Sequence, residues 1–208
     1  MNKRLYVNGI TMTKLTSICK FMADLPLACR ETKPTTALVI CFGMGTTYRT
    51  LMSWNVDVTA VELVPSVRDS FAYFHSDADS VLSRANGRIV IDDGRRFLNR
   101  TKELYDVIVI DPPPPVQAAG SSLLYSTDFY RVLRQHLKPD GVLQTWYPDP
   151  NGPTLAAVAR SLASHSRTCA ASDPLKGGAI ISLHRISLSK TRLSIRCLKE
   201  CRLPRLPI

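Results

Sequence analysis

Between positions 37 and 62 the chain reads ALVICFGMGTTYRTLMSWNVDVTAVE, an order that few folds can accommodate. The continuous apolar run before the Gly-x-Gly turn has the pattern of a strand buried on both faces. Residues 46–53 then form a short helix, and 56–61 a second buried strand that ends at the carboxylate of Glu62. This succession builds the first half of an α/β domain that binds a nucleoside. Glycines let the backbone approach a ligand, a helix start offers unpaired N–H donors, and an acid after the second strand accepts from ribose hydroxyls. Gly43 and Gly45 are the candidate turn positions and Glu62, 17 residues beyond Gly45, the candidate ribose acceptor. A Gly-x-Gly turn also occurs as an ordinary tight turn, and an acid at a strand end as a solvated one. The rest of the chain has to carry the case.

The alternation continues. A helix is expected over 65–74 with Pro65 in its first turn, strands over 88–91, 105–110 and 141–146, and helices over 94–100, 127–137 and 154–162. Regular βα alternation with short connections predicts a doubly wound, mostly parallel α/β sheet whose ligand sits beyond the carboxyl ends of the strands. Upstream, residues 4–7 and 10–13 flank Asn8-Gly9, a two-residue hairpin turn. Helical spacing over 14–29 stops near Pro26. The expected organisation is a hairpin and helix over 1–33, a nucleoside-binding domain over 34–165, and an irregular basic tail over 166–208.

Composition narrows the function classes. The net charge is +10, yet nine Lys/Arg against two acids in 166–208 account for +7 of it, so the folded domain gives no reason to expect a nucleic-acid partner. No apolar run approaches the ~20 residues of a membrane span and no signal-peptide core opens the chain, which makes a cytoplasmic protein the expectation. Six cysteines without a CxxC pair and four scattered histidines offer no metal-ligand spacing, so no metal is expected and the thiols read as reduced and structural. His136 and His165 fall on expected helix surfaces without an acidic partner in register.

Two further strand ends carry acids. Asp92-Asp93-Gly94 closes the third strand; an acid there accepts from an adenine amine, or Asp93 caps the next helix, and Gly94 permits the turn. Asp111 closes the fourth strand ahead of four prolines, 112–115, which form a stiff extended wall. A carboxylate on that wall can orient an amine and accept its proton as the amine attacks an electrophilic carbon beside a sulfonium. Residues 120–126 read as a loop closing over the site, with Ser126 or Thr127 capping the helix behind it. Tyr125 and Tyr130 read as core aromatics, Trp146 and Tyr147 as a pocket wall.

The segments CFGMGTT, VTAVEL, IDDGRRFL, YDVIVIDPPPP, LLYSTDFY and LKPDGVLQTW, in that order, resemble the catalytic domain of the spermidine/spermine synthases. These polyamine aminopropyltransferases share the class I methyltransferase fold. RLYVNG and ADLPL are similar to that family's N-terminal region, and the DPPPP version to spermidine-synthase-like bacterial domains. The resemblance implies a small-molecule amine acceptor and decarboxylated S-adenosylmethionine, or S-adenosylmethionine itself, as co-substrate. By position it assigns the methionine-derived part of the nucleoside to Gly43 and Gly45, ribose to Glu62 and adenine to Asp93, and Asp111 matches the first acid of the family's strand-end Asp-x-x-Asp motif; the cofactor-binding candidates are thus Gly43, Gly45, Glu62, Asp92, Asp93, Gly94 and Asp111, with Asp111 also the catalytic candidate. Dimers are common in that family, which leaves a homodimer open.

The chain departs from the pattern where the acceptor binds. The family's second strand-end acid, the base for the attacking amine, falls on Pro114, and polyamine-binding positions carry Met12, Thr16 and Ser17. Two other readings therefore stand beside aminopropyl transfer: an S-adenosylmethionine-dependent N-methyltransferase, and a nucleoside-binding domain without catalysis. In the tail, a codon choice exists for 178–184 that reads Gly-Tyr-His-Phe-Leu-Ala when shifted by one base. The expectation is a frameshift near Ser166 that leaves the sheet edge unfinished.

Overall fold

The computed structural model describes residues 3–7, 9–28, 30, 32–112, 119–147, 153–163, 167–173 and 178–184. A hairpin of β1 (Arg4–Val7) and β2 (Ile10–Lys14) precedes α1 (Ile18–Ala28). Then follow β3 (Thr36–Ile40), α2 (Thr46–Ser53), β4 (Asp57–Glu62), α3 (Pro65–Asp69), α4 (Phe71–Phe74), α5 (Ala78–Leu82) and β5 (Gly87–Ile91). The second half comprises α6 (Gly94–Arg100), β6 (Tyr105–Ile110), α7 (Ala119–Leu123), α8 (Thr127–Gln135), β7 (Leu137–Tyr147), α9 (Pro153–Ala163), β8 (Arg167–Asp173) and β9 (Gly178–His184).

The strands of the main sheet lie in the order β5-β4-β3-β6-β7-β9-β8, the first five parallel. Chain order reverses between β3 and β6, so a crevice opens beyond the carboxyl ends of those two strands. Alternate residues of each central strand feed opposite layers. Leu38, Ile40, Ile108 and Ile110 pack under α6, α8 and α9, whereas Ala37, Val39, Val107 and Val109 pack under α1, α2 and α5. Strands clothed on both faces have no need of polar alternation, hence the unbroken apolar runs.

Pro26 does not end α1, which runs through it to Ala28. Proline leaves the carbonyl four residues earlier without its helical donor. That carbonyl belongs to Met22, and the Gln144 side chain of β7, fully buried, donates Nε2 to it at 3.0 Å and to the Phe21 carbonyl at 3.3 Å. One polar residue of the central sheet thus compensates the helix break and docks α1 on the domain. The helix expected over 65–74 is divided at Ser70 into α3 and α4.

The sheet does not stop at β7. Residues 142–147 pair antiparallel with β9, and β9 with β8, which corrects the expectation of an irregular, unfinished edge for 167–184. β7 carries a row of backbone donors and acceptors along that side, and pairing satisfies them whatever the side-chain pattern of the partner. Positions 185–208 lie outside the described residues. At the opposite end of the sheet, Asp106 at the start of β6 accepts from the backbone N–H of Thr35 (2.9 Å) and Thr36 (3.0 Å). It also pairs with Arg30 (2.9 Å) and Lys138 (2.8 Å), tying the segment after α1 to the base of the sheet. Among the described residues no helix is long and apolar enough to cross a membrane.

Candidate active site

A cavity of about 560 Å³ occupies the crevice beyond β3, β4, β5 and β6, within the range that holds one small-molecule ligand. Its floor begins at the turn after β3. Cys41 takes φ of +71°, in the left-handed region rarely adopted by side chains other than Asn or Asp, while its N–H bonds the Val61 carbonyl at 3.1 Å. Gly43 follows at φ +56° and Gly45 at φ +74°. The two glycines do different work. Gly43 lines the cavity, and a Cβ there would meet nothing nearer than the Thr13 methyl at 3.9 Å. Gly45 does not line it. A Cβ at Gly45 would lie 2.4 Å from the Phe71 ring and 2.6 Å from Phe42, so this glycine is required by packing and by the start of α2. Of the two turn glycines expected to meet a ligand, the one placed on the cavity wall is Gly43.

Glu62, 8% exposed, is held from two sides: Oε2 accepts from Gly43 N–H at 3.2 Å and Oε1 from Val64 N–H at 3.0 Å. Each oxygen keeps a lone pair for the cavity, where a pair of vicinal hydroxyls would find it. Asp92 is fastened by Asp93 N–H at 2.8 Å and by Arg96, with Arg100 at 3.7 Å. Burial works to raise the Asp92 carboxyl, but these donors and charges prevail and hold it below the usual carboxylate range. Asp93 caps α6 by accepting from Arg96 N–H at 2.9 Å, and it lines the cavity as well. Gly94 adopts no left-handed angle and lines the cavity; a Cβ there would strike the Ile40 side chain at 2.6 Å, so the lack of one lets α6 close on β3.

Asp111 sits at the end of β6, its N–H bonded to the Ile40 carbonyl at 3.2 Å. The carboxylate faces the cavity beside Pro112, and Oδ2 accepts from the Cys19 thiol at 3.7 Å. Burial pushes Asp111 up to about 6; the Cys19 hydrogen bond pulls the other way without cancelling it. Burial, and then the Asp111 charge, push the Cys19 thiol far up, so it stays a neutral donor. Prolines 113–115, and with them Pro114, lie outside the described residues.

Several residues that shape the site carried no signal in the sequence. Cys19 reads there as one structural thiol among six. His75, buried beneath the glycine turn, donates Nε2 to the Met44 carbonyl at 2.9 Å with the Thr46 hydroxyl 3.4 Å away. Burial lowers its basicity, more than the Met44 carbonyl restores, and favours the neutral ring. The hairpin contributes to the cavity wall: Leu5, Val7, Thr11, Met12 and Thr13 all line it. Spacing can find a hairpin, but not the surface it covers.

Trp146 lines the cavity as expected. Tyr147 does not; it is buried in the core edge-on to Tyr125, ring centroids 5.5 Å apart. Tyr125 and Tyr130 are core residues, and Ser126 caps α8 by accepting from Phe129 N–H at 3.2 Å. His136 engages the Glu103 carbonyl at 3.0 Å, away from the site, and His165 lies outside the described residues.

Comparison with known proteins agrees with this fold. A polyamine aminopropyltransferase of Sulfolobus acidocaldarius is 31% identical over 132 residues, 61% of this chain and 43% of that protein. Polyamine aminopropyltransferase 2 of Pseudomonas aeruginosa is 29% identical over 148 residues, 67% of this chain and 42% of the relative. The chain thus spans less than half the length of these curated relatives. Among solved structures, a spermidine synthase in complex with the transition state analogue AdoDATO superposes with a TM-score of 0.75 at 21% identity, covering 86% of this chain and 65% of that one. Human methyltransferase-like protein 13 in complex with SAH superposes with a TM-score of 0.66 at 16% identity over 92% of both chains. These two likenesses establish the doubly wound, methyltransferase-like fold. The spermine/spermidine synthase domain profile matches residues 17–161, from the start of α1 through most of α9, and by that match the chain belongs to the spermine/spermidine synthase family.

Proposed function

We propose that this chain binds an S-adenosylmethionine-type sulfonium nucleoside and transfers its aminopropyl-type group to a small-molecule amine. In this reading the ribose hydroxyls bond Glu62, the adenine sits against Asp92 and Asp93, and the methionine-derived arm passes the Gly43 backbone toward Asp111. The amine nitrogen attacks the methylene carbon bonded to sulfur, a C–N bond forms, and the C–S electron pair returns to sulfur. Methylthioadenosine leaves as a neutral thioether. As the C–N bond forms, the amine N–H becomes acidic and Asp111 accepts the proton. The reading takes decarboxylated S-adenosylmethionine as the family's co-substrate and the cytoplasm as the compartment.

A single observation carries the proposal. Asp111, held ionisable near neutrality by burial, opens on the same cavity as a Glu62 carboxylate already oriented by two backbone amides. A base poised near the working pH is suited to proton transfer. The test is the identity of the released nucleoside after incubation with decarboxylated or intact S-adenosylmethionine and a panel of amines. Methylthioadenosine supports the proposal; S-adenosylhomocysteine would assign methyl transfer instead. Release of neither, with binding retained, would leave a nucleoside-binding domain without catalysis.

A further inference from the structure

His75 takes no part in the chemistry above, yet it reaches the nucleoside turn from beneath. Met44 and Thr46 line the cavity; His75, itself buried, stands behind them. It follows α4, where its own N–H bonds the Phe71 carbonyl at 3.0 Å and its ring packs on the Phe71 ring, centroids 4.9 Å apart. Four residues apart, these two side chains support the turn at adjacent points. Phe71 fills the space that a Cβ on Gly45 would need, and His75 bonds the Met44 carbonyl. The peptide unit joining Met44 to Gly45 is thereby held at both ends: its N–H donates to the Phe42 carbonyl at 2.8 Å, and its carbonyl accepts from His75 Nε2 at 2.9 Å. The charged groups that act on the ring are engaged elsewhere, Arg49 with Asp77 at 2.7 Å and Lys3 with the Tyr73 carbonyl.

Glycine at 43 and again at 45 gives this turn a backbone that no side chain restrains. A peptide unit held there by its N–H alone can pivot, and the turn with it. The Gly43 N–H belongs to the same turn and is one of the two donors that orient Glu62, at 3.2 Å from Oε2. Loss of the His75 donor would also leave the carbonyl of Met44, a residue only 4% exposed, without its described partner, which is unfavourable for a buried acceptor. We propose that His75 is a positioning residue for the nucleoside: through the Met44 carbonyl it holds the Gly43 amide, and with it the Glu62 carboxylate, in the geometry that receives the ribose. The inference rests on the nucleoside reading above and adds to it a residue that sets affinity without touching the ligand.

Calorimetry of the full chain with methylthioadenosine tests this, because the stoichiometry counts folded protein and the affinity reports its geometry. His75→Phe keeps an aromatic ring and removes the donor; His75→Gln places an amide nitrogen where it can replace Nε2. His75→Phe should weaken binding by about tenfold, the equivalent of one hydrogen bond. His75→Gln should restore it to within about threefold of wild type. In turnover the loss should appear in the nucleoside KM with kcat retained, since Asp111 lies on another strand. Unchanged affinity in His75→Phe overturns the inference. So do equal losses in both variants, which would assign His75 to packing, and a loss confined to kcat. Should His75→Phe fail to fold, the glutamine variant and nitrogen NMR of the wild type decide. The Met44 carbonyl can only accept, so the ring proton must reside on Nε2; a proton on Nδ1, or a glutamine variant that binds about tenfold more weakly, overturns the inference. A wild type that does not bind methylthioadenosine strikes the nucleoside reading itself and this inference with it, whereas binding that ignores His75→Phe strikes this inference alone.

Discussion

Asp111→Asn should stabilise the protein while slowing the proposed transfer, and the size of the gain follows from the environment of that one carboxylate. In the unfolded chain an aspartate titrates near 3.8; in the folded protein burial pushes Asp111 to about 6. Below 3.8 both states are protonated and the site exerts no pH-dependent effect. Above 6 both are ionised, and the fold holds a charge that water would solvate better. Stability is therefore lost as pH rises through the window from 3.8 to 6, in contrast to a carboxylate whose folded pKa is depressed. The interval corresponds to about 3 kcal/mol as a ceiling. Asparagine keeps the shape and can still accept from the Cys19 thiol, but never carries the charge. Because Asp111 opens on a cavity that water can enter, a gain of about 1–3 kcal/mol at pH 8 is the expected outcome.

The assay is urea unfolding of both proteins at intervals from pH 4 to pH 8, with turnover followed in parallel. The stability difference should be near zero at pH 4, grow through pH 6 and level off above 7. Turnover of the variant should fall by about 10²–10⁴, and wild-type turnover should decline below pH 6, while methylthioadenosine affinity is unchanged by the substitution. A variant that is less stable than wild type at pH 8, or a difference that is flat across the range, would refute the reasoning. Either result would mean that the carboxylate is better solvated or better paired than its surroundings indicate.

Asp106, at the other end of the same strand, should behave in the opposite way. Its carboxyl is held well below the usual range, burial being outweighed by Lys138 and the Thr35 and Thr36 amides, so its contribution is present above 3.8 and is lost as pH falls below it. Asp106→Asn strands the buried Arg30 and should destabilise by about 3 kcal/mol at pH 7, with the gap closing in acid; equal urea midpoints at pH 7 would sink this. The two turn glycines should also separate. Gly43→Ala adds backbone strain of about 1–2 kcal/mol, whereas Gly45→Ala adds to that strain a clash with Phe71 and Phe42 of about 1–3 kcal/mol more, measured as the difference between their urea midpoints.

The sheet was legible from residue pattern because its strands are covered on both faces: ALVI, VTAV and YDVIVI admit no other reading when short helices lie between them. The acids were legible for a related reason, since a carboxylate placed just past such a strand lands in the crevice. What escaped depended on contacts between distant segments. Pro26 inside α1 is tolerated because Gln144, more than a hundred residues later, takes the carbonyl it frees. Cys19 matters because α1 docks against the end of β6. β8 and β9 escaped because the open edge of β7, and not their own alternation, recruits them. Local spacing carries no record of any of these.

The four cavity acids divide by what holds them, and the division bears on mechanism more than their number does. Glu62, Asp92 and Asp93 each accept from backbone amides, and Asp92 from Arg96 too. Such donors fix a carboxylate's orientation, which suits recognition of a neutral nucleoside that must be read by direction rather than by charge. Among the described residues Asp111 has no such cradle on its side chain, and its thiol partner is a weak donor. The lack of strong donors is what lets burial raise its proton affinity. A site that furnished Asp111 with the amides given to Glu62 would position a ligand equally well and lose its base. In the proposed reaction, with proline at position 114 where the family pattern has a second strand-end acid, Asp111 is the carboxylate left to take the proton.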